Sequence, residues 1–104
     1  MSDSGIPTTD VHGVPEQIPP DLVVLDVRED HEWAAGHIDG AIHIPLADLP
    51  ARVGELDPSA TTLVVCHVGA RSARATAWLH AQGHDVVNLD GGMHAWELVG
   101  RRVV

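Results

Sequence analysis

At 104 residues, 44% of them apolar, the chain fits one globular domain with one core rather than a disordered or membrane-spanning class. Fifteen acidic residues against six arginines and no lysine give a net charge of −9, which argues against a phosphate backbone as partner. A single cysteine excludes an internal disulfide and fits a reducing cytoplasm.

The N-terminal stretch MSDSGIPTTD lacks the basic start and apolar run of a signal peptide, and no segment approaches the roughly 18 apolar residues of a membrane span. Residues 1–5 are expected to form a disordered tail, with one domain over 6–104. Turn formers crowd residues 6–20; a short strand is expected near 8–11, then one helical turn, then a stop at Pro19-Pro20. The run LVVLDV at 22–27 reads as a central parallel strand buried on both faces. Residues 29–35 read as a short helix with acids in its first turn and Gly36 as its stop. A short strand at 41–44 closes at Pro45. Leu46, Leu49, Val53 and Leu56 recur at helical spacing, and Pro50 predicts a bend or two pieces.

Residues 62–65 form the strand that delivers Cys66 into a loop of small residues. The Ala-rich segment 72–82, ended by Gly83, predicts the best helix of the chain, with Ala73 and Ala77 facing the sheet. A strand at 85–89, a turn at Asp90-Gly91-Gly92 and a helix at 93–99 follow. The tail 100–104 is expected either to add an edge strand or to hang loose. Strands alternating with helices define an α/β class, a central mostly parallel sheet flanked by helices, in which ligands bind beyond the carboxyl ends of the strands.

Cys66 falls at such an end. A thiol between a strand and a helix N-terminus sits where backbone N–H groups favour negative charge, so the thiolate is favoured over the thiol. Gly69 allows the loop to turn an N–H inward, and Ala70 keeps the rim open. Arg71 and Arg74 offer positive charge beside the thiol. Plainer readings stand next to these. Cys66 could be a small buried hydrophobe, Arg71 a loop brace, Arg74 a solvated side chain, and His67 either solvent-facing or part of the pocket rim.

The eight histidines are scattered, and Gly83 breaks the helix between His80 and His84, so no metal and no cofactor is expected. His37 reads as a core or turn histidine, Trp78 and Trp96 as core, and Glu29, Asp30 and Glu32 as a solvated helix start.

Four segments in order carry a resemblance: 24–28 (VLDVR), 36–41 (GHIDGA) with Ile44-Pro45, 66–72 (CHVGARS) and 89–96 (LDGGMHAW). Together they make the chain similar to single-domain rhodaneses, across nearly its whole length. The resemblance implies a parallel sheet with the cysteine loop at one end and transfer of sulfane sulfur through a cysteine persulfide. It implies Cys66 as nucleophile and His67, Val68, Gly69, Ala70, Arg71 and Ser72 as the loop around it. Asp26, Gly36, His37, Gly40 and the Gly91-Gly92 turn match positions that are mainly structural in the family. The implied partners are a small anionic sulfur donor, thiosulfate or a persulfide, and a thiol or protein acceptor, with neither nucleic acid nor membrane. One departure is His67, where the family often has Arg or Gln; this lessens the cationic character suited to thiosulfate and makes a persulfide more plausible. The spacing Cys-x4-Arg is one residue shorter than the Cys-x5-Arg of related phosphatases, and it leaves room for one extra sulfur rather than three oxygens. A sulfur carrier or partner-binding module is the main alternative, with a cysteine phosphatase or arsenate reductase behind it.

Overall fold

A computed structural model describes residues 5–104 of the chain; apart from Gly5, the expected N-terminal tail lies outside the described residues. Five strands, β1 (Thr8–Thr9), β2 (Leu22–Asp26), β3 (Ile42–His43), β4 (Thr61–Val65) and β5 (Asp85–Leu89), form one sheet in the order β1-β5-β4-β2-β3. Every pairing is parallel. The chain steps outward one way from β2 to β3 and the other way from β4 to β5, so the order reverses between β2 and β4. In such sheets ligands bind beyond the carboxyl ends of the strands that flank the reversal.

Alternation along the strands splits the core in two. Val64 and Cys66 pack with Leu25, Val27, Ala75 and Leu79 on one face, while Leu63 and Val65 pack with Val24, Leu89, Met93 and Trp96 on the other. With no Phe or Tyr in the chain, aliphatic side chains fill both layers, and Trp96 is the one fully buried aromatic. Trp78 packs half-buried at the edge of the first layer.

Three α-helices connect the strands, α1 (Asp30–Ala34), α2 (Leu49–Arg52) and α3 (Ala70–Ala81), and a fourth, α4 (Gly92–Leu98), follows β5. The 46–56 segment is three short pieces, because 3-10 turns at Leu46–Asp48 and Val53–Glu55 flank α2. Pro50 lies in the first turn of α2, where its missing N–H has no helical partner to lose, so it opens this helix instead of bending a longer one.

Helix α3 starts two residues earlier than its alanine pattern suggests, and its buried face is Ser72, Ala75, Thr76 and Leu79. Ala77 is exposed and Ala73 half-buried, which corrects the expected Ala73/Ala77 face. Ser72 is anchored at the Cys66 sulfur, and that contact sets the rotation of the helix.

The C-terminal tail is neither a strand nor loose. Val104 and His37 exchange backbone hydrogen bonds at 2.8 and 3.1 Å, and the Trp96 indole N–H donates to the Arg102 carbonyl at 3.0 Å. The Arg101 guanidinium lies over the Trp96 ring and donates to the carbonyls of Val11, Val14 and Pro15. These bonds clamp the chain end onto the first 3-10 turn, Val11–Gly13.

Candidate functional site

Val65 ends β4, and the next residue, Cys66, lies just beyond the carboxyl end of that strand, where the order reverses between β2 and β4, with only 1% of its surface exposed. The chain then turns sharply. Gly69 adopts φ +115°, a left-handed conformation that strains any residue with a Cβ, and it is the N-cap of α3. This turn brings the Gly69 N–H to 3.1 Å from the Cys66 Sγ and the Ser72 N–H to 3.3 Å. The Ser72 hydroxyl stands 3.3 Å from the same sulfur, and the Arg71 amide also faces it. Ser72 is itself fully buried, and its carbonyl accepts from the Thr76 hydroxyl at 2.7 Å.

A loop can aim its N–H groups inward only if its carbonyls find partners elsewhere. Here the N-cap and first turn of α4 supply them. Met93 N–H donates to the Cys66 carbonyl at 2.8 Å, His94 N–H to the His67 carbonyl at 2.9 Å, and Gly91 N–H to the Val68 carbonyl at 3.1 Å. The approach is close enough that Gly92, at φ +54°, has no room for a side chain; a Cβ there would lie 2.6 Å from the His67 carbonyl oxygen. The Asp90-Gly91-Gly92 turn is therefore the rear wall of the sulfur cradle.

The electrostatics follow from this geometry. Burial pushes the Cys66 thiol up, because a thiolate loses hydration there. Hydrogen bonds from the Ser72 hydroxyl and from the Ser72, Gly69 and Arg71 amides act the other way, and the net effect lowers it below an ordinary cysteine.

The structure does not treat the loop residues alike. Gly69, Arg71 and Ser72 converge on Cys66 through their backbones. His67, Val68 and Ala70 are exposed at the rim, with His67 edge-on to His94 at 5.8 Å between ring centres. Arg74 is exposed one turn further along α3.

The Arg71 guanidinium is committed to Glu32 of α1, with Nη1 to Oε1 at 2.6 Å and Nη2 to Oε2 at 2.9 Å. This overturns the reading of 29–32 as a wholly solvated helix start. Glu32 also accepts the Glu29 N–H at 3.0 Å, completing a capping box. The Arg71 hydrogen bonds hold the Glu32 carboxyl down at about 2, against its partial burial. Sequence alone marked Glu32 only as an acid in a first helical turn, because its partner lies 39 residues away.

Beneath the same helix, Asp26 and Arg28 form a buried ion pair at 2.8 Å, and Arg28 also donates to the Gly36 carbonyl at 2.8 Å. Trp33 stacks nearly parallel with both His37 and His43, and the His37 Nδ1 is hydrogen-bonded to the Trp33 carbonyl at 2.9 Å. Among the described residues, no three His, Cys, Asp or Glu side chains converge as a metal site would require.

A parallel α/β sheet carrying a buried cysteine in a ring of amides, five residues before an arginine, defines a class of anion-cradling thiol domains. The family model for the rhodanese-like domain matches residues 14–98, and the chain belongs to that family. It is 42% identical over 77 residues, covering 74% of this chain and 75% of the relative, to a putative sulfurtransferase, YtwF, of Bacillus subtilis. It is 43% identical over 75 residues to the thiosulfate sulfurtransferase GlpE of Pseudomonas putida, covering 71% of this chain and 68% of that one. A putative sulfur carrier protein of Bacillus subtilis, YrkF, is 35% identical over 89% of this chain, which spans 52% of that protein. Among solved structures, a rhodanese-related protein from Thermoplasma volcanium superposes with a TM-score of 0.89 at 33% identity, covering 94% of this chain and 97% of that one.

Proposed function

We propose that the protein is a sulfurtransferase in which Cys66 carries the sulfur. The observation that carries this reading is the convergence of the Gly69 and Ser72 amides and the Ser72 hydroxyl on the Cys66 sulfur. The thiolate attacks the outer sulfur of a persulfide or of thiosulfate. A new S–S bond forms, the old one breaks, and its electron pair leaves with the donor thiolate or with sulfite. The persulfide left on Cys66 is also an anion, so the same donors stabilise it. An acceptor thiolate then attacks the terminal sulfur and releases the Cys66 thiolate, which is a ping-pong route.

The family membership and the relatives' names support sulfur chemistry. The four residues between Cys66 and Arg71, one fewer than in Cys-x5-Arg, weigh against phosphate. Exposed His67 and Val68 at the rim leave access for a thiol or a protein acceptor.

Incubation with thiosulfate or a small persulfide, followed by intact-mass analysis, should add one sulfur atom to the wild type and none to Cys66→Ser. A wild type left unmodified by every sulfane donor overturns the proposal. Relationship to a protein named as a sulfur carrier favours one second reading, a carrier that loads once and turns over little. Multiple turnovers onto a small thiol would decide against it.

A further inference from the structure

Resting on that sulfurtransfer reading, we propose that Glu32 sets the charge of donor the Cys66 cradle accepts, selecting monoanionic sulfane donors over the dianion thiosulfate. Glu32 does so as a positioning residue, acting through Arg71.

The cation that sequence places beside the cysteine is already paired. Arg71 gives both of its terminal nitrogens to the two oxygens of Glu32. Glu32 is fixed from a second side by the Glu29 N–H, so neither partner is free to swing toward an incoming anion without breaking a bond. The neighbouring charges do not make up the loss. Arg28 is consumed by Asp26 and the Gly36 carbonyl. Glu29 lies close enough to Arg71 to act on it, and an Asp90 carboxylate oxygen lies against Gly69. His67 occupies the second loop position, where its side chain is exposed. Arg74 is the one unpaired arginine near the loop among the described residues, and it projects to solvent one turn away.

The mouth of the cradle therefore has no net positive charge to offset a second negative charge on the donor. The backbone ring can host one anionic sulfur. A further unit charge a few ångströms beyond it, in partly solvated surroundings, weakens binding about three- to tenfold.

The chemistry permits a clean comparison. Thiosulfate and methanethiosulfonate present the same terminal sulfur on a sulfonyl sulfur and differ by one charge. In each case the Cys66 thiolate forms a bond to the terminal sulfur, and the sulfur–sulfonyl bond breaks. The leaving pair departs as sulfite from thiosulfate or as methanesulfinate from the thiosulfonate. Charge balances in both, and no oxidant or reductant is needed.

The test measures kcat/KM for both donors with the wild type, Glu32→Gln and Glu32→Asp, alongside the mass of sulfur loaded on Cys66. Because the two donors differ in intrinsic reactivity, the ratio between them is compared across variants. Glu32→Gln, which keeps hydrogen-bonding capacity and loses charge, should raise the thiosulfate-to-thiosulfonate ratio about three- to tenfold, chiefly by lowering KM for thiosulfate. Glu32→Asp should keep the wild-type ratio even where both rates fall. An unmoved ratio in Glu32→Gln overturns the proposal, as does an equal shift in Glu32→Asp, since the latter would mark a packing effect. Should Glu32→Gln not fold, salt decides on the wild type. KM for thiosulfate should stay flat or fall as salt screens the acidic surroundings, and a steep rise would mean an uncompensated cation and overturn the idea. If both donors leave the wild-type Cys66 bare, the sulfurtransfer reading falls with it. Loading by both with an unchanged ratio removes the role of Glu32 alone.

Discussion

The Met93 amide donates to the Cys66 carbonyl at 2.8 Å, so the first turn of α4 holds the residue that follows the central strand β4. Two further bonds, from His94 to His67 and from Gly91 to Val68, extend that grip along the loop. The loop amides point at sulfur because the loop carbonyls are held on the other side. Its shape thus depends on a turn some 25 residues downstream as much as on its own glycine.

Gly92→Ala is expected to break this arrangement. The added Cβ would meet the backbone carbonyls of Cys66 and His67, which cannot rotate out of the way, and φ +54° already disfavours alanine. A loss of about 1–3 kcal/mol in urea unfolding is expected, together with weaker sulfur loading on Cys66. Wild-type values for both would show that the turn is not a rear wall.

Replacing Asp26 with Ala should be costlier to the fold and gentler on the chemistry. It strands Arg28, which is 4% exposed, without its carboxylate. Loss of one partner of a buried pair costs about 3–5 kcal/mol. The urea midpoint should fall accordingly, while loading per folded molecule stays near wild type. A small shift in midpoint would mean that water relieves Arg28.

Ser72→Ala removes the hydroxyl that faces Cys66 at 3.3 Å. That hydroxyl is the foremost of the groups that pull the thiol down against its burial. The pH midpoint for alkylation by a small haloacetamide should therefore lie below that of a free cysteine in the wild type and move upward in Ser72→Ala. Identical pH profiles would dismiss the hydroxyl as a stabiliser of the thiolate.

Stability in acid should report the Arg71–Glu32 pair. The folded Glu32 carboxyl is depressed to about 2 from an ordinary 4.5, so the unfolded chain binds the proton first. Its stabilising contribution is complete above about pH 4.5 and is lost as pH falls through about 2. Urea midpoints followed across that window should drop more steeply for the wild type than for Glu32→Gln, which cannot titrate there. Parallel profiles would mean that the pair adds nothing to the fold.

Much of the architecture was legible because it is local. The runs at 22–27 and 62–65, the helix that follows Cys66 and the strand at 85–89 announce themselves through apolar periodicity and glycine stops, and the structure places them within a residue or two. Where local signals misled, a distant contact was responsible. The Ala73/Ala77 face lost to Ser72, Ala75, Thr76 and Leu79, because the Ser72 contact with Cys66 fixes the rotation of α3. The last five residues carry no strand ladder, yet His37 and the Arg101 clamp hold them.

By itself, then, the sequence determined the alternating α/β class, the place of Cys66 at a strand end, the length of its loop and the glycine that lets the loop turn. All of these follow from neighbours within a few positions, where backbone preference and side-chain period act directly. Only the tertiary structure decided what faces what across the sheet. The reversal of strand order between β2 and β4 brings α1 to the loop and pairs Glu32 with Arg71, 39 residues apart. The same packing sets the α4 amides behind the Cys66 and His67 carbonyls. Charge and hydrogen-bond partnership at long range depend on strand order, so a cation evident in the sequence became, in the fold, one half of an ion pair.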